Sequence, residues 1–587
     1  MSIIKNIINK FKVNYPWEKY YKKNERNIDV PNMSVYEYLV KCAEYNMNSV
    51  AINYFNNKLT YKQFFEQVDL CARAFKSQGI RENDVITVCM ANTPEAIISI
   101  YAINKIGAIA NLLHPLSAEQ EIKKSVIATN SVMLVAIDLA YSKIKNIIHD
   151  TNVYKTVIVS PSNSMPTMIS IGYKLLKCRK IEKPKNTEDF MYWNSFIIRG
   201  KMYKGSVLIK RKSDDEAFIL HSGGTSGTPK SIVLTNANIN SIIEQAKIIF
   251  PKIGVNDKFL SVLPLFHCFG LVVCVHAPLC FGATCILIPQ FDAKRFDKLL
   301  TKYKPTVLAG VPTLYEAMIT NKHMEKVNLS KVKYVISGGD SLSISKNKQV
   351  NDFLYKHNCQ VTVMQGYGMT ESTGPFSIGG CGSNKLGSVG IPLPGNMLEI
   401  VEPNTGIKLK KGEIGEICLC GPGIMKGYLN NNDATNEIMK KHDDEKLWIH
   451  TGDLGYIDKD GVLFYVQRLK RMLIVSGYNV YPSYVESVIN ECPEVENCGV
   501  IGIPHPYKVQ VPKAYIVLKD GIEDDLLTKR KIKEYCIKNL SSYMVPKEFE
   551  FRKSLPKTMI GKIDYKLLEK NRLFFVLLFI IFFNLKK

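Results

Sequence analysis

The distribution of apolar residues predicts alternating strands and helices over the first two thirds of the chain. Short apolar runs typical of buried strands occur at residues 85–90, 107–113, 133–137, 156–159, 259–263, 284–288, 306–309 and 333–337. Helical periodicity separates them, for example at 34–43, where Ser34 is a predicted N-cap, and at 92–105. Strands that alternate with helices indicate a parallel sheet with helices on both faces.

The pattern changes twice further along the chain. Residues 162–214 are polar, rich in lysine and poorly periodic, and they are predicted to form a surface excursion. After about residue 395, short strands with turn signals predict a compact β subdomain. Beyond residue 467, helices at 484–489 and 527–540 and strands at 500–503 and 514–518 predict a small α+β unit.

A chain of 587 residues is too long for a single core. We therefore expect an α/β protein with a large N-terminal domain at 1–467, in which helices flank parallel sheets and a β subdomain occupies about 395–467. A small, mobile α+β C-terminal lid is expected at 468–572, followed by an apolar tail at 573–587.

Charge and cysteine content narrow the class of protein. Lys and Arg exceed Asp and Glu by 77 − 54 = 23, which favours anionic partners such as nucleotides, CoA or acidic lipid. The sequence lacks the combination of aromatic and basic residues that would indicate a nucleic-acid-binding surface. The 15 cysteines are scattered without zinc-site spacing, although Cys418 and Cys420 share one face of a predicted strand. Reduced thiols and a cytoplasmic location are expected.

The apolar run at 573–583 precedes Lys586 and Lys587 at the end of the chain. Eleven residues are fewer than the roughly 20 that a membrane-spanning helix needs. Three interpretations stay open: the tail lies in one leaflet as a peripheral membrane contact, packs on the protein, or extends beyond the fold.

A loop at 221–231 is rich in glycine and hydroxyl residues and lies between two apolar runs, 217–220 and 232–234. This pattern predicts a strand–loop–strand hairpin. Uncrowded backbone N–H groups and hydroxyls can converge on phosphate oxygens, and Lys230 adds positive charge. Because Pro229 precedes Lys230, the loop is not a Walker A motif. By composition alone it could equally be a flexible surface loop.

Three further motifs follow in order. They are Gln365-Gly366-Tyr367-Gly368-Met369-Thr370-Glu371, then Thr451-Gly452-Asp453, then Leu555-Pro556-Lys557-Thr558 with Gly561-Lys562. Together with the loop, they resemble the adenylate-forming superfamily of acyl-CoA synthetases, luciferases and peptide-synthetase adenylation domains. The resemblance extends over about 59–568. It implies that a carboxylic acid is activated with ATP as acyl-AMP, releasing pyrophosphate, and is then transferred to a thiol, releasing AMP.

The resemblance also implies roles for individual residues. ATP and AMP would be bound by Ser222, Gly223, Gly224, Thr225, Ser226, Gly227, Thr228, Lys230, Gln365, Gly366, Tyr367, Gly368, Thr370, Asp453 and Arg468. Within this set, Tyr367 would contact adenine, Thr370 the α-phosphate and Asp453 the ribose hydroxyls. Glu371 would hold Mg²⁺, for which a carboxylate with phosphate oxygens is the expected ligand shell.

Catalysis is assigned by the resemblance to Lys562, Thr370, Glu371 and His267. Lys562 would bridge the substrate carboxylate and the α-phosphate. Taken alone, Glu371 is also typical of a helix N-terminus, and Lys562 of a protein surface. Lys470 would be the hinge about which the lid rotates. Ser476, Gly477 and Tyr478 would then line a channel for the thiol arm of CoA.

The position that carries an aspartate in amino-acid adenylation domains is His267 here, so a free amino acid is disfavoured as substrate. A packed core histidine is the alternative interpretation. The acyl pocket would be lined by His267, Val311, Gly338, Gly339 and Gly366. Its two adjacent glycines favour an extended chain, so a medium- or long-chain fatty acid is expected first, and an aryl or short-chain acid second.

Two other functions remain open, an acyl-AMP ligase that loads a separate carrier-protein thiol and a nucleotide-binding relative without catalysis. The sequence also departs from the superfamily pattern. Ser231 and Asn236 replace a usual glycine and histidine beside the triphosphate, and Gln467 replaces a common glycine before Arg468. In the lid, Val509 and Gln510 replace a usual Gly-Glu pair, so the resemblance does not define how the thiol would dock there.

Overall fold

The computed structural model describes residues 15–176, 181–182, 187–222, 230–403, 405–475, 478–505, 509–558 and 562–569. The strands of its first part are β1 (Val50–Tyr54), β2 (Asn57–Thr60), β3 (Val85–Cys89), β4 (Ile109–Leu113), β5 (Met133–Ile137), β6 (Lys155–Val159), β7 (Phe190–Tyr192), β8 (Glu216–His221), β9 (Ser231–Thr235), β10 (Lys258–Ser261), β11 (Thr284–Leu287), β12 (Val307–Gly310), β13 (Tyr334–Ser337), β14 (Val363–Met369), β15 (Gly374–Ile378) and β16 (Ile391–Pro392).

Helices connect most of these strands. They are Val35–Ala43, Tyr61–Ser77, Pro94–Lys105, Glu119–Ala128, Tyr141–Ile147, Thr167–Leu176, Trp193–Met202, Asn236–Ile249, Phe296–Tyr303, Pro312–Thr320 and Ile344–Lys356, with a π-helix, Phe269–His276, that continues as Ala277–Cys280. Ser34 caps the first of them by accepting a hydrogen bond from the backbone of Glu37, as predicted.

The second part of the chain contains shorter helices and more antiparallel pairing. Its strands are β17 (Met397–Val401), β18 (Gly415–Cys420), β19 (Gly427–Tyr428), β20 (Met439–Lys441), β21 (Leu447–Ile457), β22 (Leu463–Arg468), β23 (Leu473–Val475), β24 (Tyr478–Val480), β25 (Val495–His505), β26 (Val509–Leu518) and β27 (Glu548–Phe551). Its helices are Asn432–Ile438, Pro482–Asn490 and Leu526–Asn539.

Two large sheets form the body of the molecule. One has the order β16-β15-β14-β13-β12-β10-β11-β1-β2, and the other β19-β9-β8-β4-β3-β5-β6-β7. The central pairs of both sheets are parallel, whereas antiparallel pairs lie at both edges of the first sheet and at the β19-β9-β8 edge of the second. Helix Pro94–Lys105 is buried along its whole length. These features confirm the expected α/β class, with parallel sheets flanked by helices.

Two smaller sheets follow. The strands β17-β18-β21-β20, with β22 on β21, form one of them, and β24-β23-β26-β25, with β27 on β26, form the other. The last sheet has a hydrophobic core of its own, to which Val485 and Ile489 of helix Pro482–Asn490 and Ile532 and Cys536 of helix Leu526–Asn539 contribute. The chain thus has a small C-terminal α+β domain beside the large N-terminal one.

The prediction of a surface excursion at 162–214 was wrong for residues 190–202, which pack into the folded domain. β7 adds a strand to the second sheet by pairing with β6, and helix Trp193–Met202 buries Trp193, Phe196 and Gly200. A Cβ at Gly200 would lie 2.3 Å from the carbonyl oxygen of Leu70, so this helix packs closely on Tyr61–Ser77. A three-residue strand and a helix with a narrow buried stripe leave little periodic signal among lysines.

Within the described ranges, no helix combines the length and apolarity needed to cross a membrane. The predicted apolar tail, 573–587, lies outside the described residues. The described cysteines are all free thiols.

Candidate active site

The predicted hairpin around the phosphate loop is confirmed. β8 and β9 are antiparallel, with His221 opposite Ser231, and the Ser222 N–H donates to the Lys230 carbonyl at 3.1 Å. The loop itself, with Gly223, Gly224, Thr225, Ser226, Gly227 and Thr228, lies outside the described residues. Its two ends, Ser222 and Lys230, line a large cleft.

A buried polar network supports the base of this hairpin. His221 Nε2 donates to Asn111 Oδ1 at 2.6 Å, and its Nδ1 lies 3.3 Å from Ser231 Oγ. Asn111 Nδ2 in turn donates to Thr87 Oγ1 at 2.8 Å. Burial lowers the pKa of His221 to about 4, so the ring is neutral at pH 7. Sequence reasoning placed His221 in the loop without identifying this network.

The segment predicted to bind adenine and phosphate occupies β14 and the turn after it. Gln365, Gly366, Tyr367 and Gly368 lie on the strand, and Thr370 begins the 3₁₀ turn Thr370–Ser372. The whole motif lines the same cleft as the loop ends.

Three residues predicted to bind adenosine converge near the middle of β21. The Tyr367 hydroxyl donates to Asp453 Oδ2 at 2.7 Å, and Arg468 Nε lies 3.0 Å from Asp453 Oδ1. Strand pairing explains this proximity, because Asp453 and Arg468 face each other across β21 and β22. Burial raises the pKa of Asp453, an effect that the charge of Arg468 opposes.

Glu371 is buried and is held by a residue that sequence reasoning missed. The Tyr428 hydroxyl donates to Glu371 Oε1 at 2.8 Å. Lys230 Nζ lies 4.4 Å from the centre of the Tyr428 ring, in cation–π geometry. β19 pairs with β9, with Tyr428 opposite Ile232, and this pairing brings the tyrosine beside the loop. A buried carboxylate at the cleft wall is a suitable Mg²⁺ ligand.

Lys562 reaches the cleft from the C-terminal domain. The Thr558 N–H donates to the Lys562 carbonyl at 2.7 Å, and the Lys562 N–H donates to Thr558 Oγ1 at 3.2 Å. Residues 559–561 between them lie outside the described ranges. The positive charge of Lys562 lowers the pKa values of both His267 and Asp453, though burial is the largest influence on each. The lid lysine and the loop ends therefore share one cleft.

His267 is largely buried at the other side of the cleft. Burial, and then the charges of His114 and Lys562, lower its pKa to about 4, so it is neutral at pH 7. Its ring lies 4.9 Å from that of Phe266, which lies 4.4 Å from His114. His114 lines the cleft and was not identified from the sequence.

The residues predicted to form the acyl pocket line one part of the cleft together. A Cβ at Gly338 would lie 3.3 Å from Phe269 Cε1, and one at Gly339, where φ is +79°, would lie 3.4 Å from Val311 Cγ1. A side chain at either position would take up space that is open in this protein.

Two helical segments add apolar rows that sequence reasoning missed. The cleft is lined at four-residue intervals by Ile242, Ala246 and Phe250, and by Phe269, Val273, Ala277 and Phe281. Residues four apart lie on one face of a helix. Both rows belong to the apolar lining of the cleft, and the part of the cleft that they line is hereafter called the acyl channel, after the predicted acyl pocket.

The predicted hinge residue Lys470 lies in a 3₁₀ turn, Leu469–Arg471, between β22 and β23. Ser476 and Gly477 lie outside the described residues, and Tyr478 begins β24. Across the hinge, Ser483 Oγ donates to the Val466 carbonyl at 2.8 Å and lies 3.2 Å from Gln467 Oε1. These contacts join the last strand before the hinge to the first helix after it.

Comparison with known proteins agrees with this geometry. A family model described as AMP-binding enzyme matches residues 39–429, and one described as AMP-binding enzyme C-terminal domain matches 484–562. A long-chain-fatty-acid–CoA ligase from Bacillus subtilis is 29% identical over 560 residues, covering 93% of this chain and 96% of the relative. One from Haemophilus influenzae is 30% identical over 564 residues, covering 94% and 95%.

Solved structures share the fold. Crystalline ATP-bound MatB from Rhodopseudomonas palustris superposes with a TM-score of 0.79 at 23% identity, covering 92% of this chain and 99% of that one.

Proposed function

This chain belongs to the AMP-binding enzymes, and from that premise we propose that it is a medium- to long-chain fatty acid–CoA ligase. It would activate the acid with ATP as acyl-AMP and pyrophosphate, and then transfer the acyl group to CoA with release of AMP. The observation that carries the proposal is that Lys562, from the C-terminal domain, lines the same cleft as Ser222, Lys230 and Asp453 and lies close enough to Asp453 for its charge to lower the pKa of that carboxyl, against the larger opposite effect of burial.

In the first half-reaction the acid and the α-phosphate are both anions, so their approach needs positive charge. Lys230 would hold the phosphates from the loop end, where the Tyr428 ring supports it. Lys562 would lie between the carboxylate and the α-phosphate, and a flexible ammonium can follow charge as it moves between them. Thr370 would donate a hydrogen bond to the α-phosphate.

Nucleotide orientation would depend on the buried carboxylate near the middle of β21. Asp453 has lone pairs beyond those engaged by Tyr367 and Arg468 and can accept from ribose hydroxyls. Glu371 would hold Mg²⁺, which when bound shields charge on the phosphates. The lid would then rotate about Lys470, withdrawing Lys562 and admitting the thiol of CoA past residues 476–478.

The acyl channel supports a fatty acid over an aryl acid. Ile242 and Phe250 are eight residues apart, which is about 12 Å along an α-helix. An apolar row of that length could contact an alkyl chain along its extent, whereas a single ring would contact only part of it.

The decisive experiment measures pyrophosphate release for acids of graded length and for benzoate, with and without CoA. We expect release with fatty acids and formation of acyl-CoA only when CoA is present. A preference for benzoate would favour the aryl-acid alternative. Acyl-AMP formation without transfer to CoA would favour a carrier-protein acceptor, and no acid-dependent release would indicate a non-catalytic relative.

We propose as well that the tail at 573–587 makes peripheral membrane contact, since its apolar run ends in two lysines. Deleting the tail is expected to lower co-sedimentation with anionic vesicles while leaving acyl-CoA formation unchanged. Equal sedimentation of both forms would contradict the proposal.

A further inference from the structure

A cluster of cysteine and histidine side chains lies on one face of the β17–β18–β21–β20 sheet. Strand register places Cys418 opposite both Glu399 and His450, and opposite residues point to the same face of a sheet. His442 follows β20 in the turn that leads to β21. Ligand atoms of Cys418, His442 and His450 all lie within 4.8 Å of one another. These three ligands are distant in sequence, so spacing alone did not reveal them.

The hydrogen bonds of the two histidines determine which ring nitrogens are protonated. His442 Nδ1 lies 3.0 Å from Glu399 Oε2, and His450 Nδ1 lies 2.9 Å from Glu416 Oε2. An ionised carboxylate only accepts, so each Nδ1 carries a proton, and a neutral ring then has a lone pair on Nε2. The two Nε2 atoms are 3.1 Å apart. Two lone pairs this close need a cation or a shared proton between them.

A metal ion accounts for more of the arrangement than a shared proton does. Histidines that ligate metals usually donate their other ring N–H to a carboxylate, as both do here. With Zn–N bonds of about 2.0 Å, two nitrogens of a tetrahedral zinc ion are about 3.3 Å apart, close to the observed separation. A shared proton would involve only the two rings, whereas a metal ion would also engage the Cys418 thiol, which otherwise only packs in the apolar cluster with Trp448.

We propose that Cys418, His442 and His450 bind one Zn²⁺ ion, at a site separate from the Glu371 carboxylate. One thiolate and two imidazoles are a typical zinc donor set. Binding would break the Cys418 S–H bond, form an S–Zn bond and release the proton to solvent. His442 and His450 also line the cleft, which gives the ion an entry path and leaves its fourth position for water.

The ion would stabilise a segment next to the nucleotide site. It would join the turn between β20 and β21 to β18, and His450 is followed directly by Thr451, Gly452 and Asp453. The ring of His442 already stacks on the buried Trp448, with centroids 5.0 Å apart. This role does not depend on which acid the enzyme uses.

The test uses the full-length, tag-free protein, stripped with chelator and reconstituted with Zn²⁺ or with Co²⁺ as a spectroscopic probe. We expect one bound ion per chain. The Co²⁺ form should show the visible bands of a tetrahedral site and a near-ultraviolet thiolate-to-metal charge-transfer band, both removed by competing Zn²⁺. Absence of the thiolate band from the unmutated protein would overturn the proposal, as would a proton-bridged histidine pair that binds no stoichiometric metal.

Variants identify the ligands. Cys418→Ser should abolish the thiolate band, and Glu399→Gln should lower metal affinity about 10- to 100-fold through the orientation of His442. Cys420→Ser is the matched control, because Cys420 lies two residues along the same strand face but outside the ligand set. Loss of the band in Cys420→Ser with its retention in Cys418→Ser would refute the assignment.

Discussion

At the scale of single residues, Tyr428 connects two functions of the candidate site. Its hydroxyl holds one oxygen of Glu371, and its ring lies beneath the ammonium of Lys230. Both contacts depend on the short pairing of β19 with β9. The tyrosine can therefore orient both the carboxylate proposed to bind Mg²⁺ and the cation proposed to bind phosphate.

Tyr428→Phe separates these contributions because it removes the hydroxyl and keeps the ring. A hydrogen bond to a charged group contributes about 1.5–3 kcal/mol, so we expect acid-dependent pyrophosphate release to fall roughly 10- to 100-fold. The Mg²⁺ concentration for half-maximal rate should rise, since Glu371 loses its orientation. Tyr355→Phe, at an exposed tyrosine, is the control. An unchanged Mg²⁺ dependence would contradict this role.

The lid lysine offers a sharper test of single-residue chemistry. Lys562→Ala should lower acyl-AMP formation by about 100- to 1,000-fold, the usual effect of removing a group that stabilises transition-state charge. Transfer of the acyl group from supplied acyl-AMP to CoA should be nearly unchanged, because in the proposed mechanism Lys562 would withdraw before that step. Lys553→Ala, an exposed lysine of the same domain, is the control. Equal loss of both half-reactions would refute the division of labour.

Gly338 and Gly368 are expected to be glycines for different structural reasons. A Cβ at Gly368 would lie 1.8 Å from the Gly374 carbonyl oxygen, whereas one at Gly338 would have no neighbour nearer than the edge of the Phe269 ring at 3.3 Å. Gly368 is therefore required by the close pairing of β14 with β15, in addition to its expected place in the nucleotide site. Motif residues could be predicted because each motif is local. Tyr428, His114 and the network around His221 could not, because long-range strand pairing creates their contacts.

At the scale of secondary structure elements, hydrogen bonds between Gln467 and Ser483 connect the two domains at their junction, and this contact is hereafter called the latch. Gln467 is 1% exposed, and its Oε1 accepts from Ser483 at the start of helix Pro482–Asn490. Gln467 Nε2 is buried without a hydrogen-bond partner among the described residues. Only one of the two polar groups of the Gln467 side chain, Oε1, therefore has a hydrogen-bond partner among the described residues. The unpaired Nε2 limits the strength of the latch.

Gln467→Ala and Ser483→Ala should each favour lid rotation. Losing a net hydrogen bond of about 1 kcal/mol would shift the lid equilibrium by roughly fivefold. Proteolytic cleavage within 468–475 should become faster by a similar factor, and acyl transfer should gain relative to adenylation. Ser487→Ala, one turn further along the same helix, removes a hydrogen bond to the Tyr484 carbonyl within that helix and should behave as the unmutated protein. Equal cleavage rates in all three variants would exclude the latch.

The acyl channel is a second property of elements, since it depends on two rows of side chains. Ala246→Phe places a ring in the middle of one row, so we expect a preference for shorter acids while acyl-AMP formation with them persists. Ile248→Phe, in the same helix but not in the channel wall, is the control. The measurement is kcat/KM across acids of graded length. An unchanged chain-length profile would place the alkyl chain elsewhere.

Elements differed in how well the sequence predicted them. Strand β5 was predicted at its observed bounds, and β6, β11 and β13 within one residue, because long buried runs dominate their pattern. β7 and helix Trp193–Met202 were not predicted, because their formation depends on packing against distant segments. The acyl channel was missed for the same reason, because a wall between two helices has no local signature.

At the scale of the whole molecule, buried histidines couple folding to pH. Burial lowers the pKa of His221 to about 4 and that of His276 to about 3, whereas an unfolded histidine titrates near 6.5. As pH falls below 6.5, these histidines bind protons in the unfolded chain but stay neutral in the folded one. Stability should therefore fall with pH in that range, by roughly 2 kcal/mol for each histidine between pH 7 and pH 5.

His276→Gln isolates one of these contributions. The variant should unfold at a lower denaturant concentration than the unmutated protein at pH 7, because the bond between Tyr101 and His276 is lost. The difference between its midpoints at pH 7 and pH 5 should nevertheless be smaller, since one group that resists protonation has gone. His323→Gln, at an exposed histidine, should keep the original difference. If His276→Gln kept it too, proton uptake on unfolding would have to come from other groups, and the acid sensitivity of this fold would not arise from its core histidines.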